Sequence, residues 1–144
     1  MNKLPIWQEK YIDLLIKEKL HHAYLFFGRE GLGKELLLST LSQGILCEDT
    51  TLFPCGKCHN CKLVLSQNHP DLHILEIEEG KKNISISQIL DLREKIYESS
   101  FLGKNKIILI PNIEFMSRDA SDSILKILEE PPKDTFFVMS SHFI

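Results

Sequence analysis

A chain of 144 residues, 43% apolar and 26% charged, has the make-up of a single globular domain and is long enough to bury a core. A net charge of −3 supplies no overall basic field, which argues against tight nucleic-acid binding by this chain alone. No apolar run approaches membrane-spanning length and no signal-peptide core opens the chain, so a cytoplasmic protein with no membrane partner is expected.

The elements follow in order. Ile6, Trp7, Tyr11, Leu14 and Leu15 recur at helical spacing and predict a packing helix over 6–20. A short apolar run predicts a strand at 23–27. Leu36, Leu37, Leu38, Leu41 and Ile45 are too dense for a surface helix, so a helix over 34–46 is expected to press its inner face on a sheet. Residues 47–69 interrupt the pattern with a cysteine-bearing insertion. Alternation predicts a second strand at 72–77, and a charged turn follows at 78–83. Ser85 or Ser87 is the candidate cap of the next helix, with Ile89, Leu92, Ile96 and Tyr97 along one face. After a turn at 103–106, the solid apolar run 107–110 predicts a buried parallel strand. A helix over 117–130 is stopped by Pro131-Pro132, and 135–140 is a last strand. Strands alternating with helices predict an α/β fold with a parallel sheet covered on both faces.

The first strand ends in Gly28-Arg29-Glu30-Gly31-Leu32-Gly33-Lys34-Glu35, which is Gly28-x4-Gly33-Lys34 opening a helix. That is a Walker A phosphate loop up to its last position. Glycines let backbone N–H groups turn inward around a polyphosphate, and the lysine reaches the terminal phosphates. Gly28, Gly33 and Lys34 are therefore the candidate nucleotide-binding residues. The last position should carry a hydroxyl for magnesium, and it carries Glu35, whose charge opposes phosphate. Glycines also cap helices for purely conformational reasons, so a simple helix start is the alternative.

All four cysteines lie within 47–61. Cys55, Cys58 and Cys61 are separated by two residues each, and Cys47 lies upstream at the end of the preceding helix. Four thiolates can close a tetrahedral zinc site of the structural kind. An iron–sulfur run, free buried thiols and a redox pair are the alternatives. His59 is left without a role as ligand.

These features combine with His69-Pro70-Asp71-Leu72, Ile84-Ser85-Ile86-Ser87-Gln88-Ile89 and Leu125-Lys126-Ile127-Leu128-Glu129-Glu130-Pro131-Pro132. Together, from about residue 4 onward, they resemble the bacterial DNA polymerase III clamp-loader subunits, AAA+ members of the P-loop ATPases. The resemblance implies a RecA-like three-layer AAA+ P-loop domain, of which 1–144 is a fragment ending after the sensor-1-like strand, with a four-cysteine zinc module inserted at 47–69. It also implies a helical lid, a C-terminal collar and a Ser-Arg-Cys motif beyond the last strand.

Two subunit types share the pattern: the ATP-hydrolysing gamma/tau motor and the ATPase-inactive delta-prime type. By resemblance the 107–110 strand is the Walker B strand, which should end in two acidic residues. Pro111 and Asn112 stand there, and neither carries charge. Asp119 and Glu114 are nearby, but Glu114 lies past the expected catalytic position. Arg118 is a poor substitute for the missing arginine, since at a helix start it is expected in solvent. The departures match the delta-prime type, with no catalytic residue and weak or no ATP binding. Its implied partners are the delta and gamma/tau subunits, with primed DNA reached through the assembled complex of the polymerase holoenzyme. A gamma/tau-like motor with divergent motifs is the alternative, as is a small P-loop kinase, for which a magnesium site and a substrate lid are lacking.

Overall fold

The computed structural model describes residues 21–29, 33–48, 54–102 and 104–142. The helix expected over 6–20 lies outside the described residues. The elements are β1 Ala23–Phe27, α1 Lys34–Leu46, α2 His59–Leu65, β2 Leu72–Ile74, α3 Ile86–Tyr97, β3 Lys106–Ile110, a single 3-10 turn Ile113–Phe115, α4 Arg118–Glu129 and β4 Thr135–Ser141.

The strands form one sheet in the order β1-β4-β3-β2, and every pairing is parallel. Period-two alternation along the central strands divides the core. Ile107 and Val138 face one side, packed with Leu37, Leu38, Leu41, Ile45 and Leu46 of α1 and Val64 of α2. Their neighbours Ile108, Ile110, Phe137 and Met139 face the other side, packed with Ile89 and Ile96 of α3 and Ile124 and Ile127 of α4. The result is three layers, with α1 and α2 on one face and α3 and α4 on the other. Burying an isoleucine such as Ile108 or Ile124 contributes about 1.5–3 kcal/mol. Most of the sheet's cohesion therefore comes from these two apolar layers.

Local chemistry explains the element ends. Gln88 is three residues into α3, and its side chain accepts from the Ser85 N–H at 3.1 Å. Ser85 receives the reciprocal bond, completing a capping box. Ser117 caps α4 by accepting from the Ala120 N–H at 3.1 Å.

Two expectations need correction, and two features go beyond what was expected. The strand expected at 72–77 pairs only over Leu72–Ile74. Leu75 still donates to Leu109 at 2.8 Å, but the next carbonyl, of Glu76, accepts from the Gln88 side-chain amide at 2.8 Å and leaves the ladder. Tyr97 does not join the buried face of α3 and is 51% exposed, because the helix ends there and the chain turns away. On α1, burial extends past the apolar face to Thr40, Ser42 and Gln43, since α2 packs beside it. Finally, the cysteine insertion contains a helix of its own, α2, which the sequence reading did not anticipate.

Candidate functional site: a degenerate phosphate loop and a four-sulfur cluster

Parallel strands end in unpaired main-chain groups, and the loops at their carboxyl ends are where such sheets place sites. Gly28 follows β1 and is buried, and Gly33 caps α1 with φ of +80°, a conformation that favours glycine. Residues 30–32 between them are outside the described set. Lys34, the first residue of α1, is only 7% exposed. Its ammonium donates to the main-chain carbonyl of Gly28 and to that of Ser141 at 2.8 Å. The same Ser141 carbonyl accepts from the Gly28 N–H at 3.2 Å. The lysine thus ties the carboxyl ends of β1 and β4 together, with its charge answered by two main-chain dipoles.

Glu35 projects from the first turn of α1, and it meets Pro111 and Asn112 from the end of β3 in one cleft of about 300 Å³. Ser39, Gln67 and Glu76 line the same cleft. The three departures noticed in the sequence therefore converge on one place. Pro111 has no N–H, and its carbonyl accepts from the Ser140 hydroxyl at 2.5 Å. Asn112 Oδ1 is buried without a hydrogen-bond partner. The carboxylates at the cleft, Glu35 and Glu76, come from α1 and from the end of β2, so neither occupies the end of β3. Glu76, Ser39 and Gln67 were missed from sequence, because only the folding of β2 and α2 against α1 brings them here. Glu114 sits on the 3-10 turn with both carboxylate oxygens buried and unpartnered, outside the residues lining the cleft. Asp119 and Arg118 are exposed in the first turn of α4, as expected of solvated residues.

The second site is the cysteine cluster. Cys47 ends α1, Cys58 caps α2, Cys61 lies inside α2, and Cys55 precedes both in the turn. Their four sulfurs lie within 4.8 Å of one another. The Cys47 sulfur is 3.6 Å from that of Cys55 and 3.8 Å from that of Cys58, and the Cys55 and Cys61 sulfurs are 4.0 Å apart. Sulfurs about 2.3 Å from a common tetrahedral centre would stand roughly 3.8 Å apart, so the spacing fits four ligands around a single ion. It is far too long for a disulfide of about 2.05 Å.

The chain builds this by turning N–H groups onto sulfur. Cys58 N–H donates to Cys55 Sγ at 3.2 Å, Lys57 N–H to the same sulfur at 3.4 Å, and Cys61 N–H to Cys58 Sγ at 3.4 Å. Gly56, with φ of +71°, makes the turn possible. The N–H bonds from Lys57 and Cys58 favour the thiolate and lower the Cys55 pKa to about 7. Burial pushes the Cys61 thiol up. A bound cation would overcome that penalty by stabilising the thiolate. The residues present can therefore hold a metal ion. His59 is exposed at the start of α2 and is not among the cluster's ligands.

A buried polar pair stands just ahead of β2. His69 is 4% exposed and Asp71 2% exposed. Burial lowers the His69 pKa, against the opposing pull of the Asp71 carboxylate.

Comparison with known proteins fits this architecture. The profile of the family described as DNA polymerase III, delta subunit, matches residues 5–143. A DNA polymerase III subunit delta' from Bacillus subtilis is 37% identical over 140 residues, which is 96% of this chain and 42% of that protein. One of the same name from Yersinia pestis is 36% identical over 123 residues, 85% of this chain and 36% of that protein. The Escherichia coli protein of that name is 32% identical over 122 residues, 84% of this chain and 36% of that protein. The chain thus spans about two fifths of the length of these relatives. Its fold resembles a crystal structure of a DNA polymerase III gamma subunit-related protein from Thermotoga maritima, with a TM-score of 0.58 and 19% identity over 93% of this chain and 39% of that one. With the matched profile running through almost every element described above, the chain belongs to the DNA polymerase III delta subunit family.

Proposed function

We propose that this chain is part of the AAA+ domain of a delta-prime-type subunit of the DNA polymerase III clamp loader, working as a non-hydrolysing member of the assembly that loads the sliding clamp on primed DNA. Residues 1–144 fall within that domain, with the metal module inserted at 47–69. Its partners are the delta and gamma/tau subunits, it meets primed DNA through the assembled complex, and it acts in the cytoplasm. Family membership and the relatives named delta' support this reading.

The observation that carries it is the end of β3. Phosphoryl transfer depends on metal placement and on a residue that orients or activates the attacking water. Pro111 and Asn112 stand at that strand end, and neither can supply a carboxylate. Lys34 is already engaged by the Gly28 and Ser141 carbonyls, and Glu35 brings negative charge to the first turn of α1. In this reading Gly28, Gly33 and Lys34 form a degenerate phosphate loop with weak or no affinity for ATP, and no residue is catalytic. A gamma/tau-like motor or a small kinase would need the acidic pair that β3 lacks.

The cysteines complete the proposal. Cys47, Cys55, Cys58 and Cys61 hold one structural zinc ion as thiolates. All-sulfur tetrahedral sites leave no open position for chemistry, and their binding energy is folding energy for the element they close. Four sulfurs gathered around one point favour a single ion over a multi-iron cluster, whose ligands sit on separate irons.

A steady-state phosphate-release assay on the chain, beside a titration with labelled ATP, tests the reading. No turnover above buffer is expected. Sustained hydrolysis abolished by Lys34→Ala would overturn it.

A further inference from the structure

Asn60 lies between two of the metal-module cysteines, in the first turn of α2, and is 5% exposed. Its side-chain oxygen meets His69 Nε2 at 3.1 Å. The other ring nitrogen, Nδ1, accepts from the Asp71 N–H at 3.0 Å. That bond makes Nδ1 the acceptor, so the proton is on Nε2 and points at Asn60. Asp71 then reaches across to the segment after α3. One carboxylate oxygen accepts from the Phe101 N–H at 2.5 Å and the other from the Leu102 N–H at 3.0 Å. The Asp71 carbonyl also accepts from the Ile107 N–H at 2.8 Å, which anchors this point to β3. Further along, the Lys104 ammonium reaches the Glu48 carbonyl at 3.4 Å and the Asn105 amide donates to the Ile45 carbonyl at 3.1 Å. Phe101 is 79% exposed and Leu102 43% exposed, and Ser100 closes the turn on the Lys104 carbonyl at 2.8 Å.

We infer that Asn60, His69 and Asp71 form a positioning relay through which metal occupancy of the four-cysteine site sets the order of the loop bearing Phe101 and Leu102. The inference rests on the reading of that cluster as a zinc site. When the metal leaves, the four sulfurs lose their shared ion, the Cys61 N–H bond to Cys58 Sγ is left to hold the first turn of α2, and that turn loosens. Asn60 then moves off the Nε2–H and leaves that buried donor without its partner. The 69–71 segment relaxes to find a new partner, and the Asp71 carboxylate shifts from the two N–H groups it holds. No link in this chain is a titration. Each is a neutral or fixed-charge hydrogen bond that is present or absent.

Amide hydrogen exchange, followed by NMR on the isotopically labelled full chain, tests the relay. The chain is compared loaded with zinc and stripped with a chelator, with zinc content measured on the same samples. Phe101 and Leu102 are expected to exchange at least about tenfold faster in the stripped chain, while Ile107 and Ile108 in β3 keep their protection. Asn60→Ala keeps every cysteine and Asp71, and it should show the fast Phe101 and Leu102 exchange even with zinc bound, with stripping adding nothing. A titration of zinc into the stripped wild-type chain gives a second readout: the Phe101 and Leu102 amide signals move in step with those of Cys58 and Cys61. Unchanged exchange at one zinc per chain, wild-type protection in loaded Asn60→Ala, or independent movement of the two sets of signals would each overturn the relay and leave the zinc reading intact. A chain that retains no zinc would overturn both.

Discussion

The ammonium of Lys34 and the main-chain carbonyl of Ser141 are 107 positions apart in sequence and 2.8 Å apart in the fold. In a working phosphate loop this lysine is held for the nucleotide. Here it joins the ends of β1 and β4, so its loss should register first as instability. Lys34→Ala is expected to cost about 1–3 kcal/mol, since it takes the ammonium from the Gly28 carbonyl and leaves the Ser141 carbonyl to the Gly28 N–H. Urea unfolding measures this, and an unchanged midpoint would show that the two hydrogen bonds contribute nothing.

Nucleotide affinity should depend on Glu35. Glu35 is exposed in the first turn of α1, so repulsion between its carboxylate and a triphosphate is partly screened and is worth roughly 1–3 kcal/mol, and each 1.4 kcal/mol is about tenfold in affinity. Glu35→Thr is therefore expected to tighten ATP binding by about tenfold without producing turnover, because Pro111 and Asn112 are untouched. Titration with labelled ATP beside a phosphate-release assay separates the two effects. Turnover in this single variant would contradict the assignment of the defect to the end of β3.

Zinc content should be one per chain in protein purified without chelator, read by atomic emission after dialysis. Cys58→Ser removes one sulfur of the cluster, while the new hydroxyl can still accept from the Cys61 N–H that caps α2. It is expected to raise protease sensitivity within 47–69 while the sheet's circular-dichroism signal persists, because the module packs on one side of α1 and, among its described residues, contributes no strand. Collapse of the whole fold would mean that the metal closes the core rather than the insertion.

Lys106 opens β3, is 3% exposed, and caps the carboxyl end of α3. Its ammonium donates to the carbonyls of Lys95 at 2.7 Å and Ile96 at 2.5 Å, and to that of Glu98. A cation there satisfies orphan carbonyls and complements the helix dipole. Lys106→Met should keep the stem's packing and lose about 1–3 kcal/mol in urea unfolding. A loss under half a kcal/mol would show that water replaces the ammonium without penalty.

Stability should also fall with acid. Burial lowers the pKa of His69, and that of His73 is lowered by burial and then by Lys95 and Lys106. Both groups bind protons more readily in the unfolded chain, where the pKa is near 6.5. Stability is therefore complete above that value and declines as pH falls through it toward the folded pKa values. The urea midpoint should drop between about pH 7 and pH 5, and His73→Gln should flatten part of that slope. A midpoint independent of pH over this interval would contradict the burial of both rings in neutral form.

The parallel α/β order was legible in the residues alone, because solid apolar runs such as 107–110 and the proline stop after α4 carry period and boundary locally. So were the two chemical anomalies. Glu35 after Lys34, and Pro111-Asn112 after an apolar strand, are statements about residue type that need no coordinates. The cysteine spacing announced a cluster for the same reason: Cys-x2-Cys turns are short-range geometry. Tertiary structure decided what these residues do to one another. That Glu35, Pro111, Asn112 and Glu76 share one cleft depends on the order β1-β4-β3-β2, which sets the end of β3 against α1. That β2 stops at Ile74 depends on the Gln88 amide taking the Glu76 carbonyl across the chain. The inward turn of Lys34 depends on Ser141, and the role of His69-Pro70-Asp71 depends on Asn60 and the Phe101–Leu102 backbone. These are contacts between residues far apart in sequence, so no local pattern encodes them.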